Sequence, residues 1–123
     1  MNNDSTICAG IDIGKRKLDV AVCGNDASQQ TDNTPVGHQK LITWLRGHKV
    51  ERVGVEATGG YEQGIVQALR REGFVVVVFQ PIQVRAYGRF RLKLAKNDKI
   101  DANLIAACVA SVDNVRAPPG PSF

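Results

Sequence analysis

An α/β fold, a mixed sheet of five strands with helices on both faces, is what the sequence predicts, and three patterns predict it. The chain first alternates apolar and polar residues with a period of two. From residue 41 the apolar positions move to helical spacing, and helical and extended segments then follow in turn. One later segment, "FVVVVF", is β-branched through its middle, as buried strands are. The resulting order is three strands, helix, strand, helix, strand, helix, which calls for a layered sheet rather than a bundle or a sandwich.

Residues 6–13, "TICAGIDI", put Ile7, Ala9, Ile11 and Ile13 on one face of a first strand and Cys8, Gly10 and Asp12 on the other. Gly14 and the following "KRK" form a turn. "KLDVAVC" then alternates again through Leu18, Val20 and Val22, so the two segments make an antiparallel hairpin. A third, more polar strand falls at residues 29–34 and is ended by Pro35, in keeping with an edge position. Leu41, Trp44, Leu45 and His48 share helical spacing. "ERVGVEA" is a short strand with Val53 and Val55 opposite Gly54 and Glu56.

"TGGYEQGIVQALRREG" is the next helix, with Tyr61, Ile65, Ala68 and Leu69 on one side and Gly73 as its stop. The strand at residues 74–79 is expected to be buried on both faces of the sheet. Pro81 opens a basic helical segment, and a final helix holds Ala102, Ile105, Ala106 and Val109 in its apolar stripe. Residues 1–116 make one domain, and the Pro-rich tail at 117–123 cannot continue a helix.

At 123 residues the chain has the size of one domain, and its 43% hydrophobic and 23% charged content matches globular proteins and argues against disorder or a coiled coil. No apolar run approaches the ~20 residues that cross a bilayer, and the start "MNNDSTICAG" has no secretory pattern, so a cytoplasmic setting is expected. Cys8, Cys23 and Cys108 stand apart, without zinc-binding spacing, and are expected as reduced thiols. The net charge is +4, and Arg85, Arg89, Arg91, Lys93, Lys96 and Lys99 crowd into fifteen residues. That run is either a solvated helix face or a surface for phosphates.

Four acids stand out. Asp12 closes an otherwise apolar strand, and Glu56 repeats the situation at the end of the fourth. A carboxylate in such a place needs a partner or a cation, because burying it alone costs several kcal/mol. If the two strands are neighbours, these acids converge. Asp98 and Asp101, three apart in the first turn of the last helix, lie about 60° apart around its axis and point at the same cleft. Four gathered carboxylates suit Mg²⁺ or Mn²⁺, and two such ions ~3.5–4 Å apart serve phosphodiester cleavage.

Each acid also has a plainer role. Asp98 and Asp101 offset a helix dipole behind an Asn97 cap, Asp12 bonds the turn, and Glu56 pairs with an arginine. His38 and His48 are expected at the surface or a helix end. No serine has a base beside it, which leaves a nucleophilic triad unsupported. Thr58, Gly59, Gly60 and Tyr61 either approach a phosphate at a helix start or are simple turn chemistry.

"GIDIGKRKLDVAV", "VGVEATGGYE", the proline of "FQPIQVRAYGR" and "KNDKIDANLIA" resemble, in order and spacing, the N-terminal domain of the DEDD transposases and invertases of insertion sequences, the Piv/MooV type. The resemblance spans roughly residues 6–116. It implies a RuvC-like, ribonuclease H-like fold, with Asp12, Glu56, Asp98 and Asp101 as catalytic acids that bind Mg²⁺ (or Mn²⁺). It implies DNA as substrate, a structured guide RNA, homo-oligomers and a bacterial or archaeal cytoplasm. Lys15, Arg85, Arg89, Arg91, Lys93, Lys96 and Lys99 would then contact nucleic acid. Many members have threonine before the third acid, and Asn97 keeps a capping side chain there. Full members carry a second domain with a nucleophilic serine, so the chain is expected to be the catalytic part of a longer protein.

Three other readings remain at this point. A RuvC-type junction resolvase or nuclease would use a metal-activated water in place of the serine. A sugar-kinase or actin-like ATPase half also opens on "GIDIG" but gives Asp98 and Asp101 no joint role. A non-catalytic nucleic-acid-binding module would need only the basic stretch.

Overall fold

Alternation carries the first two segments into strands β1 (Ile7–Ile13) and β2 (Lys17–Val22) of the computed structural model, which describes residues 6–91 and 100–112. They pair antiparallel with Ile11 beside Val20, and Gly14 closes the turn by donating its N–H to the Lys17 carbonyl at 2.9 Å. β3 (Ser28–Asp32) adds a polar edge strand against β2. The chain then continues through α1 (Pro35–Gly47), β4 (Val50–Glu56), α2 (Gln63–Arg71), β5 (Val75–Phe79), α3 (Pro81–Arg91) and α4 (Ala102–Ala110). The sheet order is β3-β2-β1-β4-β5, with β4 parallel to both β1 and β5.

Each face has its own core. Ile11, Val20, Val53 and Val55 meet Leu41, Ile42 and Leu45 of α1 and Ile65 and Leu69 of α2. On the other face Cys8 and Phe79 meet Val84 of α3 and Leu104, Ile105, Cys108 and Val109 of α4. Helices therefore cover both faces, as expected.

Two glycines set how closely α4 lies. A Cβ on Gly10 would run into the backbone of Ala102, Ile105 and Ala106, and one on Gly54 would come within 2.8 Å of the Val109 side chain. Both stand on the α4 face of their strands, so the sheet receives the helix backbone directly at Gly10 and the Val109 side chain at Gly54. α2 ends as foreseen at Gly73, whose φ of +95° is left-handed. The Gly73 N–H reaches the Arg70 carbonyl at 3.1 Å and the Phe74 N–H the Leu69 carbonyl at 3.0 Å, a Schellman stop.

Several expectations need correction. β5 is an edge strand rather than one buried on both faces: Val75 and Val78 are 42% and 37% exposed. A valine run has the same pattern in either place. Pro35 opens α1 instead of ending β3, because Thr34 caps the helix, its Oγ1 accepting from the Gly37 N–H at 3.1 Å, and Pro is favoured in a first turn where no N–H is needed. Tyr61 is exposed and precedes α2, so it leaves the apolar side of that helix. His48 sits at the end of α1 as expected, but His38 is buried. The tail at 117–123 lies outside the described residues.

Gly10→Ala should destabilise the chain by about 3 kcal/mol, because the clash is with backbone. Thermal unfolding should register this as a fall in Tm of roughly 10 °C; an unchanged Tm would mean that α4 does not rest on β1 in this way.

Candidate functional site

β1 and β4 run side by side with Gly10 beside Gly54 and Ile11 beside Val55. Asp12 and Glu56 follow in that register, on the same face as the glycines, at the carboxyl ends of parallel strands ~4.8 Å apart. The expected convergence of these two acids is borne out by the strand pairing. Glu56 is buried and Asp12 half-buried. Burial raises the pKa of the Glu56 carboxyl, the charge of Asp12 raises it further, and the guanidinium of Arg85 partly offsets both. Arg85, expected either on a solvated helix face or as a nucleic-acid contact, thus stands close enough to the acid pair to act on it.

Asp101 departs from the expected geometry. It is the N-cap of α4, with extended backbone (φ −135°, ψ 179°), and one carboxylate oxygen accepts from the Leu104 N–H at 2.9 Å. The helix starts only at Ala102, so Asp101 stands before it as its cap instead of inside its first turn, the capping place expected for Asn97. Asp101 is exposed, and it lines the same cleft as Asp12, a space of about 470 Å³ between α4 and the β2–β3 edge. Asp98, Lys93, Lys96 and Lys99 lie outside the described residues. Lys15 is exposed in the turn after Asp12, and Arg85, Arg89 and Arg91 are exposed on α3.

One acid was missed. Asp19 faces Asp12 directly across the β1–β2 pair and lines the same cleft, its Oδ1 accepting from Gln30 Nε2 at 2.8 Å. The signal was available, since a hairpin turned at "GKRK" that pairs Ile13 with Leu18 must pair Asp12 with Asp19. Like charges directly opposite in a ladder repel. Asp12 therefore has acids on both neighbouring strands.

The loop after Glu56 is held by its own side chain. Glu62 Oε1 accepts from the Thr58 N–H at 3.0 Å, from Thr58 Oγ1 at 3.1 Å and from the Gly60 N–H at 3.1 Å. Those backbone bonds hold its carboxyl below the usual range. Gly59 and Gly60, at φ +75° and +112°, allow the tight path. Here turn chemistry accounts for "TGGYE" without a phosphate.

The donors at this centre are hard oxygens that repel one another, which fits Mg²⁺ or Mn²⁺ and no softer metal. Among the described residues no three His, Cys, Asp or Glu side chains come together closely enough to hold a metal ion. Asp12 and Glu56 are the described pair that would hold one.

The Glu56 shift has a definite sign. Its folded pKa is raised, so between the ordinary value of 4.5 and the raised one the folded state binds the extra proton, and stability falls as pH rises through that window. Glu56→Gln should therefore raise the Tm of the metal-free chain at neutral pH, by roughly 4 °C for about 1 kcal/mol relieved, and flatten the fall above pH 4.5. A lower Tm would show that the charge is already compensated.

The fold is similar to that of the fowlpox virus Holliday junction resolvase, with a TM-score of 0.51 at 15% identity over 85% of this chain and 94% of that one. A second structure, of the fowlpox virus resolvase with substrate Holliday junction DNA, has a TM-score of 0.49 at 14% identity over 83% and 94%. The first likeness shows the RuvC-like, ribonuclease H-like fold that was expected. No curated protein matches the chain. A family model described as a transposase, of the DEDD type of IS110, matches residues 9–121. Over nearly its whole length, then, the chain belongs to the IS110-type DEDD transposase family.

Proposed function

We propose that the chain is the catalytic domain of its transposase and that Asp12, Glu56, Asp98 and Asp101 together bind divalent metal for strand cleavage and exchange in DNA. The observation that carries this is the placement of Asp12 and Glu56 abreast at the carboxyl ends of β1 and β4, with Asp101 lining the same cleft as Asp12. Ligands of open α/β sheets bind at such ends. Bound Mg²⁺ would supply positive charge for phosphate oxygens in the displacement.

The chain's own groups do the rest. Asp12 and Glu56 present oxygens from two strands, and Glu62 holds the loop beyond Glu56 through its bonds to Thr58 and Gly60. Arg85 offsets negative charge beside the pair. Lys15 and the α3 arginines Arg89 and Arg91, with Lys93, Lys96 and Lys99, offer cations to the nucleic-acid backbone.

The partners are DNA and a structured guide RNA, the full protein is an oligomer, and it works in a bacterial or archaeal cytoplasm. Among the described residues no helix is long and apolar enough to cross a membrane. A serine nucleophile on a C-terminal domain completes the reaction, so this chain alone should not transpose; transposition by it in a plasmid assay would overturn that assignment. The fold shared with a junction resolvase supports branched DNA as the structure acted on.

In the full-length protein Asp12→Asn should lower DNA cleavage by at least ~10²-fold with DNA binding retained, measured by cleavage and gel-shift assays side by side. Cleavage at the unsubstituted rate would reject the metal site. Arg89→Ala and Arg91→Ala should each reduce the salt slope of DNA affinity by about 1; an unchanged slope would leave α3 as a solvated helix.

A further inference from the structure

Two loops follow the two acids: the turn 14–17 after Asp12 and the segment 57–62 after Glu56. One side chain joins them. Asn33, just past β3, donates from Nδ2 to the Gly14 carbonyl at 3.0 Å and to the Tyr61 carbonyl at 3.1 Å. Its backbone N–H also reaches the Arg16 carbonyl at 2.8 Å. A single amide therefore spans both loops.

The amide is itself oriented. Asn33 Oδ1 lies 2.7 Å from His38 Nε2. Both Nδ2 hydrogens go to carbonyls, so Oδ1 must accept, and the His38 ring must carry its proton on Nε2. His38 is buried on α1, and its Cε1 would be only 2.9 Å from a Cβ placed on Gly64 of α2. That fit leaves the imidazole little room to turn. Burial also lowers the pKa of His38, in keeping with a neutral ring. α1 and α2 lie on the sheet face opposite α4, so the clamp works from behind while the carboxylates stand on the cleft side.

We propose that Asn33, held by His38, is a positioning residue that fixes the Asp12 and Glu56 strand ends relative to one another. Its functional consequence rests on the reading of those two acids as a metal centre. Neither Asn33 nor His38 touches metal or nucleic acid in this role. The clamp acts as an outer support does in other metal sites, where loss of the support weakens metal affinity ~10–100-fold.

Asn33→Asp is the direct test, because it keeps the shape, removes both donors and sets an oxygen against two carbonyls. In the metal-free chain, hydrogen exchange should quicken about tenfold or more in both 14–17 and 57–62, with β1, β4 and α4 as protected as before. Calorimetry with Mn²⁺ should show affinity about tenfold weaker or more. His38→Gln, which keeps a donor at the Nε2 position, should leave both readouts nearly unchanged, and His38→Leu, which removes it, should reproduce the Asn33→Asp pattern. Faster exchange in only one loop, in neither, or throughout the fold would overturn the clamp. So would equal behaviour of His38→Gln and His38→Leu, or unchanged Mn²⁺ affinity in Asn33→Asp. Absence of Mn²⁺ binding in the unsubstituted chain would instead overturn the metal centre, and the exchange pattern, read without metal, would still decide the clamp.

Discussion

Parallel pairing of β1 with β4, in the register that sets Gly10 beside Gly54 and Ile11 beside Val55, is the constraint from which the other features follow. It puts two side-chain-free positions abreast, and α4 packs closely against the sheet there. Two residues further along the same face it puts two carboxylates abreast. A slip of one residue in either strand would turn Asp12 or Glu56 into the opposite core and separate α4 from the sheet. Packing and site thus depend on one register. The apolar face, with Ile11, Val53 and Val55 fully buried, enforces it.

Charge at the strand ends works against that packing. Asp12 has Glu56 beside it on β4 and Asp19 opposite it on β2, and the shared cleft also has Asp101 at its wall. Arg85 is the cation whose influence on Glu56 is evident, and it offsets only part of the burial and repulsion. Sheets seldom gather acids in this way unless a cation is held there, since each desolvated charge costs several kcal/mol. The supports around the pair are correspondingly firm. Glu62 ties the loop after Glu56 from within, and Asn33 ties it to the turn after Asp12.

Much of this was legible in the sequence because it rests on periodicity. The hairpin, the opposition of Val53 and Val55 to Glu56, and the stop at Gly73 all follow from local alternation or backbone demands. Long-range placement was less legible. The valines of β5 have the same pattern at an edge as in the middle of a sheet, and only the strand order shows that Val75 and Val78 are exposed. The sequence points His38 to the surface or a helix end because its partner, Asn33, is an amide rather than an acid, and no spacing rule marks such a pair. The sequence reads Asp101 as inside the helix although it is the cap, since several polar residues before Ala102 suit that role and local sequence does not choose between them. Asp19 lacks the apolar-strand signal that marks Asp12 and Glu56, and only the hairpin register implies its place opposite Asp12.

The most direct test of the central claim, that Asp12 and Glu56 are metal ligands, is a crystal structure of this chain grown with Mn²⁺ and read by anomalous scattering. An anomalous peak about 2.1 Å from carboxylate oxygens of both Asp12 and Glu56 is the predicted result. A well-ordered strand end with no peak there, and with Asp12 and Glu56 bonded only to protein groups such as Arg85, would contradict it.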